Sequence, residues 1–161
     1  MKNTAIHSSN QQGRARTVRK TFSRETSVST TIQADPGIVW ALLTNASDYP
    51  RWNSTILSFK GEIRQGGNIE LKSTLDEKRT FKLKVKDFES EKRLVWGDAQ
   101  GDRTYILTKG DAGGVRFEMT EKIGGPLFPL FAGYIPPFDE SFERFASDLK
   151  KEAESIQRSK S

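Results

Sequence analysis

Glu121, Tyr105 and Arg103 are the side chains of this 161-residue sequence that come first into question for chemistry. Glu121 ends the series Val115, Phe117, Met119, Glu121, in which every second residue shares one side of an extended chain. If that strand stays regular, the carboxylate faces the same dry interior as the three apolar side chains. An ionised carboxylate there must pair, gain water or take up a proton, because burial alone is costly. It would then serve to bind a hydroxyl or amine of a ligand, or to act as a general acid or base. The alternative is that Glu121 lies at the strand end, on a solvated rim, and the spacing leaves both open. Tyr105 shares its parity with Leu107 and points inward. Arg103 or Arg116 is a weaker third member, and alternation turns Arg116 outward.

Other chemistries are excluded by composition. The single histidine is His7, and there is no cysteine, so the folded part has no histidine base, no Ser-His triad, no disulfide and no His/Cys metal site. No Gly-rich phosphate loop occurs, and "KGDAGG" (109–114) is a hairpin turn. Neither a metal nor another cofactor is expected. Residues 1–20 carry Lys2, Arg14, Arg16, Arg19 and Lys20 without an acid, and the remaining 21 basic residues balance 21 acidic ones. The net charge of +5 therefore describes the start of the chain and not a basic domain surface. With almost nothing apolar to bury, residues 1–18 are expected to be a disordered basic arm. Five dispersed charges make a weak nucleic-acid footprint, and no nucleic-acid partner is expected. No signal-peptide core and no run of ~20 apolar residues is present, which predicts a cytoplasmic protein without stable membrane insertion. The sequons at Asn45 and Asn53 are then chance matches.

The elements follow from periodicity. A strand spans about 19–33, with Phe22, Thr26, Val28, Thr30 and Ile32 on one side. "DPGIVWALLTN" opens a helix, with Asp35 as N-cap and Pro36 at the first helical position. "ASDYPRWN" makes a second, very short one. Six strands follow, joined by tight Gly/Asp turns, which implies an antiparallel meander. In the third of the chain's strands after that point, Phe81, Leu83 and Val85 alternate with Lys82, Lys84 and Lys86, one face dry and one wet. Then "EKIGGPLFPLFAGYIPPF" (121–138) packs Phe128, Phe131, Tyr134 and Phe138 among prolines and glycines, an irregular connection. Finally Phe138, Phe142, Phe145, Leu149, Ala153 and Ile156 form a stripe at helical period. The expected fold is α+β: a seven-stranded antiparallel sheet, with two short helices after the first strand, curled around a long C-terminal helix in a helix-grip arrangement. Residues 19–161 form one domain.

"IQADPGIVWALLTNASDYPRWNSTI" resembles a family opening in which a strand, a Pro, a Val-Trp helix and a Tyr-Pro-x-Trp-Asn turn succeed one another. "GGVRFEMTEKIGG" is similar to that family's last strand, whose glutamate precedes a Gly/Pro-rich link to the final helix. The family is the START-like SRPBCC superfamily, in its polyketide cyclase/dehydrase and lipid-transport branch, and the resemblance covers about residues 22–157. It implies that the 127–138 aromatics line or gate a cavity between sheet and helix, where the bland alternative is that they fill the interior. Trp52, Phe59, Trp96, Tyr105, Phe117 and Phe138 are the expected ligand-binding walls, with Tyr134 at the gate and Glu121 as the charged candidate. Core packing accounts for each tryptophan equally well. The first expectation is a binder of a small hydrophobic or amphipathic ligand that is lipid-, quinone- or polyketide-like. The second is a cofactor-free cyclase/dehydratase with Glu121 and Tyr105 as catalytic candidates. The third is a chaperone-activator-like interaction domain using Lys82, Lys84 and Lys86. One scaffold supports all three, so the fold alone does not choose.

Overall fold

The computed structural model describes residues 11–110 and 112–160. Strand β1 (Arg16–Arg19) and β2 (Ser23–Ile32) form a hairpin, followed by helix α1 (Pro36–Thr44), a 3-10 turn (Ala46–Asp48) and helix α2 (Tyr49–Trp52). Strands β3 (Ile56–Gly61), β4 (Asn68–Ser73), β5 (Asp76–Glu89), β6 (Arg93–Gly97), β7 (Gly101–Lys109) and β8 (Val115–Gly124) come next. The irregular connection holds helix α3 (Phe128–Phe131) and a 3-10 turn (Ala132–Tyr134), and helix α4 (Asp139–Lys160) ends the chain. All eight strands join one antiparallel sheet in the order β1-β2-β8-β7-β6-β5-β4-β3. Register shifts interrupt the ladders between β3 and β4, β4 and β5, and β5 and β6, and irregularities of this kind bend and twist the strands that carry them.

Alternation decides which face is dry. On β2 the buried residues are Arg24, Thr26, Val28, Thr30 and Ile32, and on β8 they include Val115, Phe117 and Met119. Against them α4 lays Phe142, Phe145, Ala146, Leu149 and Ala153, all essentially inaccessible, which is the stripe that the 3.6-residue period foretells. The helix is also tied down along its flanks. Glu154 accepts from the Gln33 amide at 2.9 Å, Gln157 from the Asp35 amide at 2.9 Å, and Asp148 from the Ser54 amide at 2.8 Å. Trp40 is buried on α1 and meets Phe88 edge-on at 5.2 Å. Asp35 occupies the N-cap position of α1, but its side chain makes no capping hydrogen bond.

Three expectations are corrected. The sheet has eight strands, not seven, because β1 lies within the segment read as a disordered arm. Residues 1–10 of that arm lie outside the described residues. Residues 11–18 are held down: Ala15 donates to Glu143 at 3.1 Å, Gln12 to Thr30 at 3.0 Å, and the Thr17 hydroxyl to Asp139 at 2.6 Å. Backbone ladder bonds and these side-chain bonds order a segment that has little apolar surface to offer. Phe22 departs as well. It sits in the β1–β2 turn, before β2 begins, and is exposed.

Candidate functional site

The register of the sheet sets side chains of four strands into one lateral row on the inner face. Trp96 of β6 stands opposite Arg103 of β7, Arg103 opposite Glu121 of β8, and Glu121 opposite Thr26 of β2. Cross-strand neighbours of this kind lie within side-chain reach. Arg103 Nε donates to Glu121 Oε1 at 2.9 Å, with the two side chains 13% and 18% exposed. The Arg103 guanidinium also lies 5.0 Å over the ring of Phe142 from α4. The row continues to the edge: Thr26 and Thr17 hydroxyls are 2.9 Å apart, and Thr17 donates to Asp139.

Burial pulls the Arg103 guanidinium down, but the Glu121 carboxylate and Tyr105 outweigh it, and its pKa lies above the ordinary arginine value. Arg103 is a fixed cation. Burial pushes the Tyr105 phenol well up, against the opposing pull of Arg103, so Tyr105 stays protonated. Its hydroxyl is buried beside the Arg103 guanidinium, near enough to interact with it but without a hydrogen bond of good geometry, one row along the strand from the ion pair.

The ion pair forms part of the lining of a half-open cavity of about 200 Å³. Leu71, Leu75, Phe81, Leu83, Trp96 and Ile123 supply apolar wall, and Tyr134, Ile135, Pro136 and Phe138 border it from the connection into α4. Asp76, Arg79, Asp98 and Gln100 supply a polar portion. Gly124 and Gly125 let the chain leave β8 close to the β1–β2 turn. A Cβ on Gly124 would come within 2.7 Å of the Phe22 carbonyl, and Gly125 has a φ of 135°. Arg24 then fastens the connection. Its guanidinium, on a residue only 3% exposed, donates to the carbonyls of Ile135 at 3.2 Å and Pro136 at 2.8 Å and lies 4.6 Å over Phe138. Burial, with Arg19 nearby, lowers the Arg24 pKa.

Of the residues expected to meet a ligand, Trp96, Glu121, Tyr134 and Phe138 line the cavity. Tyr134 is 89% exposed at its border. Trp52, Phe59, Tyr105 and Phe117 do not line it. They belong to an aromatic cluster that fills the interior: Tyr49 stacks on Phe59 at 4.8 Å, Trp96 meets Tyr105 at 4.9 Å, and Phe145 touches Trp52, Tyr105 and Phe117. Strand parity tells which face a side chain takes, but not where along the sheet the helix closes down. Beneath α2, the rings of Tyr49 and Trp52 pack against Phe59 of the sheet and Phe145 of α4. Glu121 takes the inward of its two expected positions and is paired. Arg116 is exposed on the outer face. Arg24, absent from the expected set, had a legible signal, since it shares parity with Thr26, Val28, Thr30 and Ile32.

The remaining donors of Arg103 suit a ligand carbonyl, phenolate or carboxylate, and the second oxygen of Glu121 suits a hydroxyl or amine. A family model described as "Polyketide cyclase / dehydrase and lipid transport" matches residues 23–154. Among solved structures, the chain is similar to a conserved protein of unknown function from Enterococcus faecalis, at 13% identity and a TM-score of 0.66, covering 94% of this chain and 84% of that one. It is similar to a START superfamily protein from Mycobacterium smegmatis at 14% identity and a TM-score of 0.62, covering 82% and 98%. A protein from Rhodobacter sphaeroides aligns at 20% identity and a TM-score of 0.63, covering 86% and 97%. At these identities the likeness concerns the fold. No curated protein sequence matches.

Proposed function

The chain belongs to the polyketide cyclase/dehydrase and lipid transport family, and we propose that it binds a small apolar or amphipathic molecule in the half-open cavity, with a polar oxygen of the ligand against Arg103 and Glu121. One observation carries this: a largely apolar hollow that keeps a single ion pair, mostly shielded from water, in its lining. An apolar core would be filled by residues of the same volume at less electrostatic cost. Apolar walls with a few convergent polar groups are the usual form of a small-molecule site.

Size narrows the ligand. At about 200 Å³ the cavity is smaller than most drug-sized sites. That supports a one- or two-ring phenol, quinone or ketone, or the end of a longer chain whose remainder passes Tyr134. A volume of this size also leaves no room for a nucleotide, whatever the polar portion of the lining offers. A second reading, a cyclase/dehydratase, draws on the same pair: Arg103 would stabilise a developing enolate oxygen while Glu121 moves a proton.

Thermal-shift titration with a panel of aryl ketones, naphthols, short quinones and medium-chain fatty acids tests the binding. A ligand of the native state raises the Tm by mass action. The rise should be largely independent of salt for a neutral ligand and should vanish in Leu83→Trp, which fills the cavity. A panel without any shift, or a shift unchanged in that variant, counts against the reading. Conversion of a bound compound, lost in Glu121→Gln, would select the enzyme.

A further inference from the structure

Six large apolar side chains are exposed among the described residues, and four of them belong to two segments: Phe22 to the β1–β2 turn, and Leu127, Leu130 and Tyr134 to the connection before α4, of which Tyr134 borders the cavity. Leu127 and Leu130 are 65% and 76% exposed on and beside α3. The Gly125 amide donates to the Phe22 carbonyl at 3.0 Å, so the β1–β2 turn and this connection form one continuous surface. That turn carries Arg19 and Lys20, both exposed, and Arg19 stands opposite Arg24 in the ladder. No acidic residue occurs in 11–24 or in 122–138. Elsewhere the chain mixes its charges, and Asp76 and Asp98 line the cavity from β5 and the β6–β7 turn, so the single-sign stretch is confined to these two segments.

We propose that this surface docks on an anionic lipid bilayer, Phe22, Leu127, Leu130 and Tyr134 entering the interfacial layer while Arg19 and Lys20 meet lipid headgroups. Exposed apolar side chains rimmed by cations are the arrangement that holds a protein at a membrane surface. Charge selects the lipid, because an anionic leaflet attracts basic residues within a Debye length. Docking is peripheral: among the described residues no helix is long and apolar enough to cross a membrane. Docked in this way, the cavity mouth at Tyr134 opens toward the acyl layer instead of toward water. A molecule of low solubility would pass between bilayer and cavity without crossing the aqueous phase.

The test is co-sedimentation of the full chain with vesicles of pure phosphatidylcholine and of phosphatidylcholine with about one-third phosphatidylserine. Partitioning should be on the order of twentyfold stronger on the anionic vesicles, from two basic side chains near the surface. It should collapse when NaCl is raised to roughly 0.5 M. Leu127→Ser with Leu130→Ser should weaken it more than tenfold, and Arg19→Gln with Lys20→Gln should abolish the preference for phosphatidylserine. All four side chains are exposed, and unchanged melting curves would show that both variants fold. Equal partitioning on the two vesicle types, or full binding by the leucine variant, overturns the proposal. So does a dimer in sedimentation velocity that the leucine variant abolishes without any vesicle binding, which would make the surface a contact between copies. The readout needs no cavity ligand, so its failure would leave the binding reading of the cavity standing, and the thermal-shift test can fail while docking succeeds.

Discussion

Arg103 and Glu121 face each other across β7 and β8 in a lining that is otherwise largely apolar. Their pairing offsets desolvation, so removing one partner leaves a charge in a poor environment. Glu121→Gln is expected to cost about 2–3 kcal/mol in urea denaturation. The double variant Arg103→Met/Glu121→Leu should regain most of that loss while binding no polar ligand. An additive double variant would mean that the pair is not coupled. Arg24 acts on the connection instead. Arg24→Leu removes two hydrogen bonds and the contact with Phe138, and should cost about 2–3 kcal/mol. It should also speed amide exchange in residues 132–138 well beyond the global change. Unaltered local exchange would show that the connection holds without it. Alternation offered the inward side of Glu121 as one of two positions and left the solvated rim open, because parity does not say where the regular strand ends. The identity of its partner was not legible, because parity does not give the register that sets Arg103 opposite it.

At the scale of elements, α4 is positioned by its apolar stripe and by polar ties to the β2–α1 link. Glu154 accepts from the Gln33 amide and from Lys150 Nζ at 2.8 Å. Burial alone would raise its pKa, but these partners outweigh it and hold the carboxyl below the ordinary value. A carboxyl whose folded pKa lies below its unfolded one stabilises the fold above the unfolded value, and that contribution is lost as pH falls through the folded value. Stability should therefore be full near neutrality and decline below about pH 4. Glu154→Gln should cost about 1 kcal/mol at pH 7 and flatten that acid limb; an unchanged acid limb would assign it to other carboxylates. The long helix was legible because its stripe repeats over five turns. Strand β1 was not, since Arg16, Thr17, Val18 and Arg19 offer one apolar residue and their order comes from partners distant in sequence. The aromatic walls were legible as inward-facing but not as cavity or core, a division made by how closely α1, α2 and α4 approach the sheet.

For the whole molecule, the sheet is open, with β1 and β3 at its edges. The contacts of residues 11–18 join the β1 edge to α4 through Ala15–Glu143 and Thr17–Asp139. A chain beginning at residue 19 should melt roughly 4–10 °C lower than the full chain, a few kcal/mol spread over a domain of this size. An unchanged Tm would return that segment to the status of a dispensable arm. The hollow between the open end of the sheet and the residues before α4 is proposed to hold a small molecule. Native mass spectrometry of the protein purified without denaturation from its own host tests this most directly, with Leu83→Trp prepared in parallel. A one-to-one adduct of an apolar compound is expected on the wild-type chain and not on the variant. Wild-type protein that carries no adduct and gains none when exposed to its host's lipid extract would contradict the proposal.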